Sequence, residues 1–179
     1  MDVFPFGPYQ RLNRLRLPRI RFLRVCLVIG AMQLLPATSQ VVADDWPQYQ
    51  GLQRDNISSE TGLLQEWPEA GPDLAWSFNK AGLGYSSPAV VDGRVYLTGG
   101  RNGRAELFCL DARNGKEIWS LPLNSKSFDF EGNAWGAGPR AAPTVDGDVV
   151  YALAGDGQLV CATTDGTLKW QTNMLSDLG

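Results

Sequence analysis

From Ser86 onward the chain alternates short apolar, β-branched runs with turn-forming residues, and it does so twice. The first pass, "SSPAVVDGRVYLTGGRNGRAELFCLDARNGKEIWSLPL" (86–123), predicts strands at Pro88–Val91, Arg94–Thr98, Glu106–Leu110 and Glu117–Leu121. "VDGR", "GGRNG" and "ARNG" separate them, each supplying glycine where the backbone must reach positive φ. The second pass, "AAPTVDGDVVYALAGDGQLVCATTDGTLKWQTNM" (141–174), repeats the order with "VDGD", "AGDG" and "TTDG" as turns. Asp92, Asp146, Asp156 and Asp165 precede those glycines, a placement that turn geometry explains by itself. No segment carries a 3.6-residue apolar period, so helices are not expected. The pattern is all-β: four short antiparallel strands per unit, two units in succession.

The two copies align at Pro88 with Pro143, Asp92-Gly93 with Asp146-Gly147, Tyr96 with Tyr151 and Trp119 with Trp170. The offset drifts from 55 at the proline to 51 at the tryptophan because the turns differ in length. Four-stranded units of roughly 40–50 residues are the blades of a β-propeller. "GPDLAWSF" (71–78) places Trp76 43 residues before Trp119, which predicts the outermost strand of a preceding blade. The spacing also assigns the tryptophans a task. Adjacent blades must bury an apolar face between them, and a flat indole can cover a glycine turn that any side chain would obstruct. Gly115 and Gly166 are those turns, and Trp76, Trp119 and Trp170 are the rings that cover turns.

The first 43 residues have a different composition. Arg11, Arg14, Arg16, Arg19, Arg21 and Arg24 precede an apolar run, Val25–Leu35, and a small-residue ending at Val41–Ala43. That order reads as a secretory signal peptide, cleaved after Ala43. The apolar run is shorter than the roughly 20 residues a membrane span requires, so no stable span is expected. The expected organisation is a signal peptide (1–43), an N-terminal leader (44–73) and a partial propeller (74–179), in a protein exported to the periplasm or cell exterior. Residues 1–43 hold six of the 16 basic and one of the 19 acidic residues, which leaves 10 and 18 and a formal net charge of −8. Such a balance opposes nucleic-acid binding, which needs clustered Lys and Arg on phosphates. The chain contains no histidine, so it offers no Ser-His-Asp triad and no His-ligated zinc. Cys109 and Cys161 stand at matching repeat positions, too far apart for a disulfide, and read as small buried apolar residues.

"CLDARNGKEIW" (109–119) resembles the tryptophan-docking motif A-x-D-x-x-T-G-K-x-x-W of the pyrroloquinoline quinone (PQQ)-like propeller repeat. Asp111, Gly115, Lys116 and Trp119 match, while Cys109 replaces the alanine and Asn114 the threonine. The second copy keeps Gly166 and Trp170 but has a turn one residue shorter and Thr163 in place of the aspartate. "DWPQYQGLQRDNISSETGLLQEWP" (45–68) resembles the leader of exported bacterial members. The resemblance implies a propeller of which this chain is an N-terminal piece. It also implies either of two roles: a cofactor-free, protein-binding propeller like BamB of the outer-membrane assembly machine, or a quinoprotein alcohol dehydrogenase carrying PQQ and calcium. The dehydrogenase branch uses a pair of adjacent cysteines over the quinone, which this chain lacks.

The loop "NSKSFDFEGNAWGAGPR" (124–140) is the longest connection and should emerge on a propeller face, where binding residues gather. Asp129 and Glu131 are candidate oxygen ligands, Trp135 a stacking ring and Arg140 a partner for a carboxylate. No catalytic residue is expected in this chain and no cofactor, with PQQ and calcium entering only under the dehydrogenase alternative. The expected function is a non-catalytic binding or scaffold module that takes a protein or small-molecule ligand on a propeller face.

Overall fold

A computed structural model describes residues 43–123 and 136–177, all within one compact unit, Val42–Gly179. The predicted signal peptide, but for Ala43, lies outside the described residues, as do Asp129, Glu131 and Trp135. Eight strands run in chain order: β1 (Ala89–Val91), β2 (Arg94–Arg101), β3 (Arg104–Asp111), β4 (Glu117–Pro122), β5 (Thr144–Asp146), β6 (Val149–Leu153), β7 (Gln158–Thr163) and β8 (Leu168–Asn173). They form two four-stranded antiparallel sheets, β1-β2-β3-β4 and β5-β6-β7-β8, each a simple meander. These are two blades of a β-propeller. Among the described residues no helix is long and apolar enough to cross a membrane.

Turn chemistry sets the register. Asp92 and Gly93 both have positive φ (50° and 69°), as a type I′ hairpin between Val91 and Arg94 demands. In the matching hairpin of the second blade Gly147 (57°) has positive φ while Asp146 and Asp148 do not, and Asp146 pairs with Val149, so the turn residues are Gly147 and Asp148. The two Asp-Gly pairs are therefore displaced by one residue from structural equivalence; Gly93 corresponds to Asp148. Their carbonyls confirm it, since Gly93 O accepts from Ala112 N and Asp148 O from Thr164 N, both at 2.9 Å.

Strands β2, β3 and β4 of the first blade are longer than the sequence suggests, while β1 begins one residue later. Gly99, Gly100 and Arg101 read as turn but continue β2, and the turn itself is Asn102-Gly103, with φ 53° and 70°. The glycines serve close approach: a Cβ on Gly99 would lie 2.2 Å from Ala81 O. Residues 71–78, expected as a preceding strand, belong to no ladder, because no strand lies beside them among the described residues. Their continuation pairs with the blade at one β-bridge, Leu83 with Gly100.

One apolar core runs through both blades. It joins Tyr96, Leu107 and Cys109 of the first to Val145, Val150 and Val160 of the second, with Trp119 packed against it. The leader covers the inner edge of both sheets. Trp46 exchanges two backbone hydrogen bonds with Val90 of β1 (2.7 and 2.9 Å), and Pro47 O accepts from Val145 N of β5 (2.8 Å). Just beyond, the Trp46 indole lies on Gly51 (φ 80°), where a Cβ would stand 2.9 Å from the ring.

Candidate functional site

The turn after β3 is built by Asp111. Its carbonyl accepts from Gly115 N (2.8 Å), its N–H donates to Lys116 O (2.9 Å), and its Oδ1 accepts from Arg113 N (2.8 Å). The Arg113 guanidinium also reaches Asp111 Oδ2 (2.7 Å) and, with the backbone bond, holds the Asp111 carboxyl down to about 2. The Lys116 N–H donates to Asn114 Oδ1, which closes the turn, while the Lys116 side chain stays exposed. Gly115 (φ 67°) thereby presents a bare backbone, and the Trp76 indole lies on it: a Cβ there would come 2.4 Å from the ring. The ring's N–H donates to Ala112 O at 2.8 Å.

The same contact recurs between the blades. The Trp119 indole of β4 covers Gly166 of the second blade, within 2.8 Å of a hypothetical Cβ, and donates to Thr164 O at 3.0 Å. Thr163 takes the aspartate's place, its hydroxyl accepting from Thr167 N (3.1 Å). Trp170 holds the equivalent place on β8 but is 45% exposed, and no described glycine lies against it.

Two further residues stand beside each tryptophan, and both pairs were visible as repeat matches, Tyr96 with Tyr151 and Cys109 with Cys161. Tyr96, Cys109 and Trp119 stand directly opposite one another across β2, β3 and β4, as do Tyr151, Cys161 and Trp170 across β6, β7 and β8. The Tyr–Trp ring centroids lie 6.1 Å apart in both blades. The cysteines are free and buried, small enough to leave both rings in place. Burial pushes the Tyr96 phenol up to about 12 and the Cys109 thiol up to about 11. Arg94 was not singled out from the sequence. Its Nη1 donates to Thr164 O at 2.7 Å and to Asp165 Oδ1 at 3.2 Å, and the neighbouring Tyr96 and Asp165 raise its pKa. One carbonyl of the second blade thus accepts from two side chains of the first. An arginine beside an Asp-Gly turn has no distinguishing spacing, so the chain alone did not reveal it.

On the opposite face, reached by the β2–β3 and β6–β7 turns, Arg140 is exposed. Its guanidinium stacks on the Tyr85 ring at 4.7 Å and donates to Gly136 O at 3.0 Å. Beside it opens an apolar pocket of about 400 Å³ lined by Pro139, Leu153, Gly155, Gly157, Met174 and Leu175. Among the described residues no three His, Cys, Asp or Glu side chains converge to hold a metal ion, so these residues supply no calcium set.

A solved structure of quinohemoprotein alcohol dehydrogenase from Comamonas testosteroni shares the fold, with a TM-score of 0.51 and 19% identity over 74% of this chain and 20% of that one. BamB from Moraxella catarrhalis aligns over 57% of this chain and 28% of its own, with 21% identity and a TM-score of 0.33. Outer membrane protein assembly factor BamB of Escherichia coli (strain K12) is 36% identical over 113 residues, 59% of this chain and 27% of that protein. Serine/threonine-protein kinase AfsK of Streptomyces griseus is 31% identical over 113 residues, 61% of this chain and 13% of the kinase. The chain thus spans about a quarter or less of the curated relatives it matches. The family model described as "Outer membrane protein assembly factor BamB" matches residues 61–178, well over half of the sequence, and this chain belongs to that family.

Proposed function

We propose that the chain is an exported, non-catalytic propeller module that binds other proteins, its N-terminal 43 residues directing it to the periplasm or cell exterior. The observation that carries this reading is the family match over residues 61–178, whose described member assembles outer membrane proteins. The exposed apolar side chains of the leader support it: Leu63, Leu64 and Trp67 are 56–71% exposed along a short stretch. Large apolar groups gathered on a surface favour protein contact over catalysis. A photoreactive amino acid at Trp67, in cells expressing the full chain, should yield a covalent adduct with an envelope protein, and fractionation should place the chain outside the cytoplasm. Stoichiometric binding of PQQ with calcium, accompanied by alcohol-dependent dye reduction, would overturn the reading in favour of a quinoprotein dehydrogenase.

A further inference from the structure

The first residues of the leader are fastened one after another, each to a different part of the chain. The Asp44 N–H donates to Glu60 Oε1 at 3.0 Å. Asp45 Oδ1 accepts from Asp92 N at 3.1 Å, Trp46 exchanges its backbone bonds with Val90, and Pro47 O accepts from Val145 N. Asp44 is gripped a second time, because its Oδ2 accepts from the Ser59 hydroxyl. The gripping segment is itself fixed, the Glu60 N–H donating to Ser58 Oγ at 3.2 Å. Residues 58–60 thus form a seat that holds one residue by both its backbone nitrogen and its side chain. That residue directly follows Val41–Ala43, the small-residue ending at which the signal peptide is expected to be cut.

The seat is acidic. Asp44, Asp45, Asp55 and Glu60 line this corner of the leader, and no lysine or arginine lines it among the described residues. While Ala43 is attached, the Asp44 nitrogen is a neutral amide with a single hydrogen, aimed at a carboxylate. Hydrolysis of the Ala43–Asp44 peptide bond changes what that nitrogen is. The oxygen of water goes to the Ala43 carbonyl carbon, the C–N bond breaks, and the nitrogen leaves as an amine that takes up a proton at neutral pH. The resulting ammonium carries three N–H groups and a positive charge, and it already stands at hydrogen-bond distance from Glu60.

We propose that removal of residues 1–43 completes an ion-pair clamp, in which the α-ammonium of Asp44 binds the Glu60 carboxylate and locks the leader across β1 and β5. The inference rests on the export reading above and gives signal-peptide cleavage a structural consequence. The clamp also fixes the bond that must be cut. A cut one residue earlier leaves the Asp44 nitrogen an amide, and a cut one residue later removes both groups that the seat holds.

The test uses the full chain, labelled with ¹³C and ¹⁵N and expressed with its own first 43 residues in a bacterial host that has an outer membrane. Fractionation, intact mass and N-terminal sequencing should find the exported chain beginning at Asp44. Its α-amine, followed through the Asp44 Cα shift between about pH 6 and 10, should titrate at least about 0.5 pH unit higher than in Glu60→Gln, since an ordinary α-amine titrates near 7.7–8.0 and an adjacent carboxylate favours the charged form. Asp55→Asn, which removes a carboxylate outside the contact, should lower the midpoint by less. At pH 7 the Val90 amide, which donates to Trp46 O, should exchange with deuterium about threefold faster in Glu60→Gln. Midpoints within about 0.2 pH unit of each other, equal drops in the two variants, or unchanged exchange at Val90 overturn the clamp. An exported chain that begins at any other residue also overturns it and leaves the export reading standing. A chain retained in the cytoplasm with all its residues overturns the export reading, and the clamp with it.

Discussion

Replacing Gly166 with alanine should cost far more than replacing Gly147, although both glycines sit in turns at positive φ. Gly147 (57°) has no atom within 4 Å of a hypothetical Cβ, so alanine there meets only backbone strain, about 1–2 kcal/mol. Gly166 (89°) carries the same strain and also the Trp119 ring, three of whose atoms stand 2.8–3.1 Å from the new Cβ. Ordinary carbon–carbon contact is about 3.5–4.0 Å, so the indole must retreat by roughly 1 Å. That retreat breaks its 3.0 Å bond to Thr164 O, worth about 1 kcal/mol net, and opens the blade interface, worth about 1 kcal/mol more in lost contact. Gly166→Ala should therefore destabilise by about 3–4 kcal/mol, about 2 kcal/mol beyond Gly147→Ala, and lower Tm by roughly 10 °C. Urea unfolding followed by far-UV circular dichroism measures both variants without relying on Trp119 as the probe. In a Trp119→Ala background the excess should vanish, because no ring remains to be displaced. Equal costs for the two glycine variants, within about 0.5 kcal/mol, would refute the indole's part in joining the blades.

Arg94→Ala should destabilise by about 1–2 kcal/mol through loss of the 2.7 Å bond to Thr164 O, whereas Asp165→Ala, at a carboxylate 80% exposed, should cost under about 0.5 kcal/mol; chemical denaturation separates them. Asp111, held at about 2 in the fold against an ordinary 3.8, stabilises the folded chain above pH 4, and that contribution fades as pH falls from 4 toward 2. A carboxyl NMR titration should show the low midpoint, and Arg113→Ala should raise it. Cys109, fully buried with its thiol pushed up to about 11, should resist a thiol-reactive dye at pH 8 until denaturant is added; rapid labelling of the native chain would contradict its burial. Removing residues 44–50 should leave the amides of Val90 and Val145 exchanging at least about tenfold faster with deuterium, since Trp46 O and Pro47 O accept from them.

The blades were legible because their information is local. Asp-Gly and Asn-Gly pairs between β-branched runs dictate hairpins within a few residues, and Tyr96, Tyr151, Trp119 and Trp170 mark equivalent strand positions. The errors arose where a residue's meaning depends on distant chain. Gly99 and Gly100 read as turn because only the fold shows residues 81–83 pressed against them. The two Asp-Gly pairs looked equivalent because a one-residue shift in a hairpin changes φ, not composition. Arg94 and the hydroxyl pair Ser86 and Thr98 gain their roles from carbonyls in the other blade, which no local pattern announces. The face loop's carboxylates, Asp129 and Glu131, lie outside the described residues, and of that candidate set only Arg140 has a described place, beside Tyr85.

The leader's attachment to both inner strands has a consequence for the order in which the molecule is made. Residue 46 leaves the ribosome long before residue 90, and residue 47 waits longer still for residue 145. The leader is thus secured only by chain made after it, a non-local closure of the kind that slows folding. Until then it must travel as unanchored polypeptide, with Trp46 and its neighbours open to chaperones and proteases.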